Sequence, residues 1–241
     1  RFNKKIKILN IEKINNKQLS KDAINLIDVE CKKFNRRFKT KITNKYIDKC
    51  FDLAIGLINK KFSYKIINGP INKKKFLNKK FLGMTEYISA HFKVKKFGML
   101  IYNKKLSVCP LTTHLPLKHV SKHINKNLIE DKINLIDKFF RKNFKFRPKI
   151  GITGLNPHCE SVLKFNEDKE IITPVIKKLK KRGFLTYGPF SADTIFLKQN
   201  RSKFDVILGM YHDQVLTPIK TIFEYDAINI TLGLPFLRVS P

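Results

Sequence analysis

The chain has 241 residues, 42% of them hydrophobic, enough for one large or two modest globular domains with a sizeable core. No apolar run approaches the roughly 18–20 residues that would span a bilayer, and no secretory signal is visible, so no membrane partner and a cytoplasmic location are expected. The formal charge of +31 has two readings, nucleic-acid binding or a solvated surface in a Lys/Asn/Ile/Phe-rich composition. Short runs such as Lys73–Lys75, Lys79–Lys80 and Lys177–Lys181 carry the charge. No RNP-type aromatic signature, zinc-finger spacing or recognition-helix pattern accompanies them. They read as solvated surface with no nucleic-acid partner, and their field would help attract an anionic substrate. The four cysteines, Cys31, Cys50, Cys109 and Cys159, form no CxxC pair and read as idle thiols in a reducing compartment. Arg1 at the start, and Pro241 straight after a strand-like run, point to a chain cut at both ends.

Taken in order, Lys5–Leu9 predicts a strand. Asn16–Phe34 and Asn44–Lys60 predict helices, the second with Ile47, Phe51, Leu53, Ala54 and Leu57 on one face. Tyr64–Ile67 predicts a strand running into the NGPINKK turn, either a ligand-contacting loop or an ordinary turn. Thr85 is placed to cap or open a helix over Tyr87–Phe92. Phe97–Tyr102 and Leu106–Pro110 predict a hairpin, and Leu128–Phe144 an amphipathic helix. Lys149–Thr153 predicts a strand, Asp168–Arg182 a helix stopped by Gly183, and Phe184–Tyr187 a strand-like lead into GPFSADT. Asp193 is placed to open a short helix through Leu197. Phe204–Leu208 and Ala227–Thr231 complete the expected strands, the latter as the last. Strands and helices alternate, which indicates an α/β sheet with an antiparallel section and no clear internal boundary.

Polar groups cluster just after several of these strands. His114 lies in TTHLPL, His158 in GLNPH, and His212 and Asp213 in YHDQ, followed by Lys220; Asn229 and Arg238 close the set. Side chains just beyond buried strands suit a site at the carboxyl ends of a parallel sheet. Three neutral imidazoles are a reasonable set for zinc or a similar ion, though their spacing forms no local motif and equally fits three unrelated loop histidines. His119 and His123, four apart without an intervening Glu, read as a solvated face. Lys220 and Arg238 lie in sequence that looks inward-facing; each needs a bound phosphate or carboxylate or an internal salt bridge. Asp193 could cap a helix or take a substrate proton. The glycines make neither GxGxxG nor a P-loop, so no cofactor-binding residue can be named.

In this order and spacing, GMTEY, TTHLPL, GLNPH, GPFSADT, YHDQ with Lys220, and NITLGLPFLR resemble the PdxA family of 4-hydroxythreonine-4-phosphate dehydrogenases. The resemblance runs from about Tyr64 to the end, and residues 1–241 are identified as one PdxA-like catalytic region. It implies an isocitrate/isopropylmalate-dehydrogenase-like α/β fold, a mixed sheet flanked by helices with two lobes around an active-site cleft. It implies a homodimer with a shared site that oxidises 4-phosphooxy-threonine with NAD or NADP. Decarboxylation then gives 3-amino-2-oxopropyl phosphate for pyridoxal 5'-phosphate synthesis. On the same resemblance His114, His158 and His212 hold a divalent metal (Zn, Mg or Co). Thr85, Lys220, Asn229 and Arg238 contact substrate, Asp193 is an active-site acid, and Lys73 of the PINK run joins the catalytic set. Met84 stands where the family motif GHTE has histidine, which leaves open a paralogue acting on threonate or erythronate 4-phosphate. The family's GDPxGIGPE-type segment and DHGT-containing tail are absent from the sequence.

Overall fold

The computed structural model describes residues 5–10, 19–30, 39–72, 76–77, 80–81, 83–160 and 165–240. By its contacts the chain forms two compact units, residues 1–66 with 71–79, and residues 67–70 with 80–241. In the first unit, strand β1 (Lys5–Ile8) pairs in parallel with β2 (Ala23–Leu26), from Lys5 opposite Ala23 to Ile8 opposite Leu26. The strand at β2 replaces the helix expected across Asn16–Phe34, part of which lies outside the described residues. A short apolar run fits both periodicities, and pairing with β1 decides between them. Helix α1 (Lys39–Asn59) covers the helix expected at Asn44–Lys60 and buries Phe51, Ile55 and Ile58, spaced by four and three residues. Phe51 stacks on Phe76 with ring centres 6.1 Å apart.

An eight-stranded mixed sheet runs in the order β3-β10-β9-β4-β5-β8-β6-β7, and all of its strands but β3 lie wholly in the second unit. Its strands are β3 (Lys65–Ile67), β4 (Gly98–Tyr102), β5 (Ser107–Pro110), β6 (Ile150–Thr153), β7 (Thr186–Phe190), β8 (Val206–Gly209), β9 (Ile228–Leu232) and β10 (Leu237–Ser240). The expected hairpin forms, with Ile101 of β4 opposite Val108 of β5. β5, β8, β6 and β7 are parallel to one another, so their carboxyl ends lie along one edge. β9 runs antiparallel to β4, and β10 antiparallel to β9. β10 was missed by the sequence reading, which ended the sheet at β9. Its alternation places a cation, Arg238, at a buried position where periodicity expects an apolar residue.

Helices cover both faces: α2 (Met84–His91), α3 (Val120–His123), α4 (Lys126–Phe144), α5 (Thr173–Lys181), α6 (Ala192–Ile195), α7 (Lys198–Arg201) and α8 (His212–Phe223). Successive strand residues point to opposite sides, and two cores result. Leu100, Cys109, Val206 and Leu208 meet Ile129, Ile133, Ile136 and Phe140 of α4 and Val175 and Leu179 of α5. Met99, Ile101, Val108 and Ile207 meet Val215, Leu216 and Ile219 of α8. A π-type turn, Asp168–Ile172, leads into α5, so the helix expected from Asp168 begins with a wider turn; it ends just short of Gly183. Among the described residues no helix is long and apolar enough to cross a membrane. Cys50, Cys109 and Cys159 are free; Cys31 lies outside the described residues.

Truncating Ile133, which is 0% exposed, to alanine is expected to cost about 2–5 kcal/mol in urea unfolding. The same change at Ile228, 42% exposed, is expected to cost less than about 1 kcal/mol. Equal losses would contradict this placement of the core.

Candidate active site at the carboxyl ends of the sheet

The site begins where β5 and β8 stop. Pro110 lies opposite Gly209. Beyond that pair the Leu111 N–H donates to the Gly209 carbonyl at 2.7 Å, and the Thr112 N–H and hydroxyl donate to the Met210 carbonyl at 3.3 and 2.8 Å. Two residues further along each chain stand His114 and His212, the latter opening α8. Their ring centres are 6.3 Å apart with planes inclined at 35°.

Each ring has its Nδ1 against a carboxylate, His114 at 3.2 Å from Glu86 Oε1 and His212 at 2.7 Å from Asp213 Oδ1. A carboxylate at Nδ1 favours the proton there, which turns an unprotonated Nε2 outward as a ligand. Two imidazoles that share an ion at about 2.1 Å hold ring centres roughly 5–6 Å apart. At 6.3 Å the pair stands just outside that span, so the two rings are near each other but not at the separation of a shared ion.

His158 sits in the turn after β6, at φ 55° and ψ 15°. Its charge acts on the carboxyl of Asp193, the second residue of α6. The Ser191 hydroxyl, donating to Asp193 at 2.5 Å, holds the carboxyl below its usual range, and His158 adds to the effect. Among the described residues no three His, Cys, Asp or Glu side chains of one chain converge on a point that would hold an ion. One chain thus brings His114 and His212 together without His158.

A second cluster forms around Arg238. It lies opposite Thr231 on β9, and Asn229 is two residues from Thr231, so all three share one face of the sheet. Arg238 is only 2% exposed. Its Nε and Nη2 donate to Asn68 Oδ1 at 2.9 and 2.8 Å, and its Nη1 to Thr231 at 2.9 Å and to Thr85 at 3.4 Å. All four bonds go to neutral oxygens. Burial draws the guanidinium below its usual value, and the charge of Glu86 opposes the shift. The Asn229 Oδ1 is buried with no hydrogen-bond partner among the described residues. A buried guanidinium held by neutral groups is well suited to an anionic ligand.

The first turn of α2 spans the two clusters. Thr85 touches Arg238, while the next residue, Glu86, accepts from Thr113 at 3.2 Å and meets His114. Of the two roles expected of Thr85, capping or opening the helix, it takes the second: Gly83 precedes the helix and Thr85 is its second residue. A Cβ at Gly83 would lie 2.5 Å from His114 Cε1 and 2.6 Å from Glu86 Oε2, so glycine is what lets the ring approach. Met84 is 4% exposed and packs inward. Lys220 departs from expectation: on α8 it is exposed rather than inward-facing. Lys73 lies outside the described residues.

Two further residues escaped the sequence reading. Asp168, buried, accepts from the Leu155 and Asn156 N–H groups at 2.7 and 3.1 Å and fixes the turn that carries His158. Gln214 bonds to Thr153, Gly154 and Met210. Their defining partners are remote in sequence, so no local pattern pointed to either.

The model of a family described as Pyridoxal phosphate biosynthetic protein PdxA matches residues 2–241. The chain belongs to the PdxA family. Over 181 residues it is 42% identical to the 4-hydroxythreonine-4-phosphate dehydrogenase of Aquifex aeolicus, covering 73% of this chain and 55% of that protein. Over 195 residues it is 32% identical to the D-threonate 4-phosphate dehydrogenase of Pectobacterium atrosepticum, covering 80% and 60%. The crystal structure of 4-hydroxythreonine-4-phosphate dehydrogenase from Klebsiella pneumoniae matches with a TM-score of 0.82 at 28% identity, over 98% of this chain and 74% of that one. The likeness bears out the isocitrate dehydrogenase-like mixed α/β fold. This chain spans about half the length of the curated relatives it matches.

Burial alone would raise the Glu86 carboxyl, but the bonds from His114, from its own backbone N–H and from Thr113, with the His114 charge, hold it below its ordinary value of 4.5. A lowered folded value stabilises the fold above the unfolded value and loses that contribution as pH falls through the folded one. The stability advantage of the wild type over Glu86→Gln should therefore shrink as pH falls below about 5. Urea unfolding at stepped pH measures it; a difference that stays flat down to about pH 3 would refute it.

Proposed function

We propose that this PdxA chain is the catalytic region of a metal-dependent dehydrogenase of pyridoxal 5'-phosphate biosynthesis. It oxidises 4-phosphooxy-L-threonine with NAD or NADP, and loss of CO2 gives 3-amino-2-oxopropyl phosphate. The observation that carries the reading is the pair of carboxylate-held imidazoles, His114 and His212, with ring centres 6.3 Å apart, joined through Glu86 and Thr85 to the buried Arg238. His158 completes the ligand set across a homodimer interface. That arrangement agrees with His114 and His212 meeting within one chain while His158 stands apart from them.

A bound divalent ion (Zn, Mg or Co) supplies a Lewis acid that acidifies the substrate hydroxyl and polarises the carbonyl that replaces it. The side chains do the rest. Arg238, Thr85 and Asn229 hold the anionic end, and Lys220, on a flexible stem, adds charge from α8. Fixing that end keeps the reacting carbon in one position for hydride transfer. Asp193, kept ionised by Ser191, is the group available to take a proton, and Lys73 of the PINK loop is a further candidate. The free thiols suit a reducing cytoplasm.

The second reading keeps the chemistry and changes the substrate to threonate or erythronate 4-phosphate. Its support is the identity with the Pectobacterium atrosepticum enzyme, together with Met84 packed inward at the family's histidine position.

In the full-length protein His212→Ala is expected to abolish divalent-metal binding and reduce turnover, followed as NAD(P)H absorbance, by at least about a thousandfold. Undiminished turnover would sink the proposal. Rates on 4-phosphooxy-threonine should exceed those on D-threonate 4-phosphate by about tenfold or more, and the reverse order would establish the second reading.

A further inference from the structure

We infer that Gln214 is a positioning residue that locks the three histidine-bearing loops of one chain together, the His158 loop that reaches the partner's metal centre included, and so sets the affinity and geometry of both centres of the dimer. The inference rests on the metal reading proposed above. Gln214 is 9% exposed and all its bonds go to strand ends. Its Oε1 accepts from the Thr153 hydroxyl at 2.8 Å and from the Met210 N–H at 2.7 Å, and its Nε2 donates to the Gly154 carbonyl at 2.8 Å. Thr153 and Gly154 lead into the turn with His158, and Met210 leads into His212. The Met210 carbonyl in turn accepts from both Thr112 donors, two residues before His114. One side-chain amide and the backbone of one residue, Met210, therefore tie together the segments that follow β5, β6 and β8.

The helix makes this division of labour possible. Residues two apart on an α-helix point to nearly opposite sides. His212 faces outward from the first turn of α8 while Gln214 faces the strand ends. Only an amide offers a two-lone-pair acceptor and a donor in this arrangement. A carboxylate would set an oxygen against the Gly154 carbonyl, and an apolar side chain would leave Thr153, Met210 and Gly154 with buried polar groups to satisfy elsewhere. Each of the three loops would then relax independently.

The test is cobalt(II) binding to the full-length protein, read as affinity and as the visible absorption bands of the bound ion. Gln214→Met is expected to weaken binding about 10–100-fold and to shift the bands, as loss of an outer-shell partner does. The core control Ile219→Val in the same helix should lower thermal stability and leave affinity and bands unchanged. If Gln214→Met does not fold, Thr153→Val removes one bond to Oε1 with little change of volume and should weaken cobalt binding about threefold. Wild-type affinity and bands in the folded variant overturn the positioning role alone. A wild type that takes up no cobalt overturns the metal reading and this role with it.

Discussion

The parallel register of β5 on β8, with Pro110 opposite Gly209, is the constraint on which the site depends. It brings two strand ends level, and the bonds from Leu111 and Thr112 extend the pairing one step past the sheet. His114 and His212 are then neighbours because each stands two residues beyond a bonded partner. β6 joins the same register through Ile152 opposite Leu208, which brings the His158 turn to the same edge. Sheet pairing thus does the long-range work, and only short-range bonding is left to the loops.

Charge is handled differently inside and outside. The +31 formal charge is carried mostly by exposed lysines, where water screens it. Among the described residues two cations are buried instead. Arg238 is held by hydroxyl and amide oxygens. Lys132, on α4, donates to the Phe97 carbonyl and lies over the Phe97 ring at 5.7 Å. Burial lowers its pKa, opposed chiefly by Cys109 and then by Glu86. Glu86 is thus the one carboxylate whose field reaches His114, Lys132 and Arg238 together, which makes the first turn of α2 the electrostatic centre of the described site.

Much of this was legible in the sequence because each strand of the parallel section is an apolar run that ends in a turn. The positions of His114, His158 and His212 after such runs pointed to one edge of a sheet. Arg238 stood out as a cation in apolar surroundings, yet the same cation hid β10. The helix expected across Asn16–Phe34 contains β2 because its short apolar run has no period of its own and takes the one its partner strand imposes. Lys220 looked inward-facing by its neighbours, but a helix exposes one side of even an apolar stretch. Gln214 and Asp168 were illegible for another reason. Their partners lie up to 61 and 13 residues away, and no local pattern encodes such bonds.

Thr85 and Glu86 are consecutive, and one reaches the guanidinium while the other reaches the imidazole. The span between the guanidinium and the His114 ring, the anion anchor and metal ligand of the proposed function, is therefore fixed by a single peptide unit in a helical turn, with no flexible linker to adjust it. Such a gauge measures length: a molecule whose charged tail and reactive head are separated by the matching number of bonds satisfies both ends at once, and a homologue one carbon longer or shorter must release one of them.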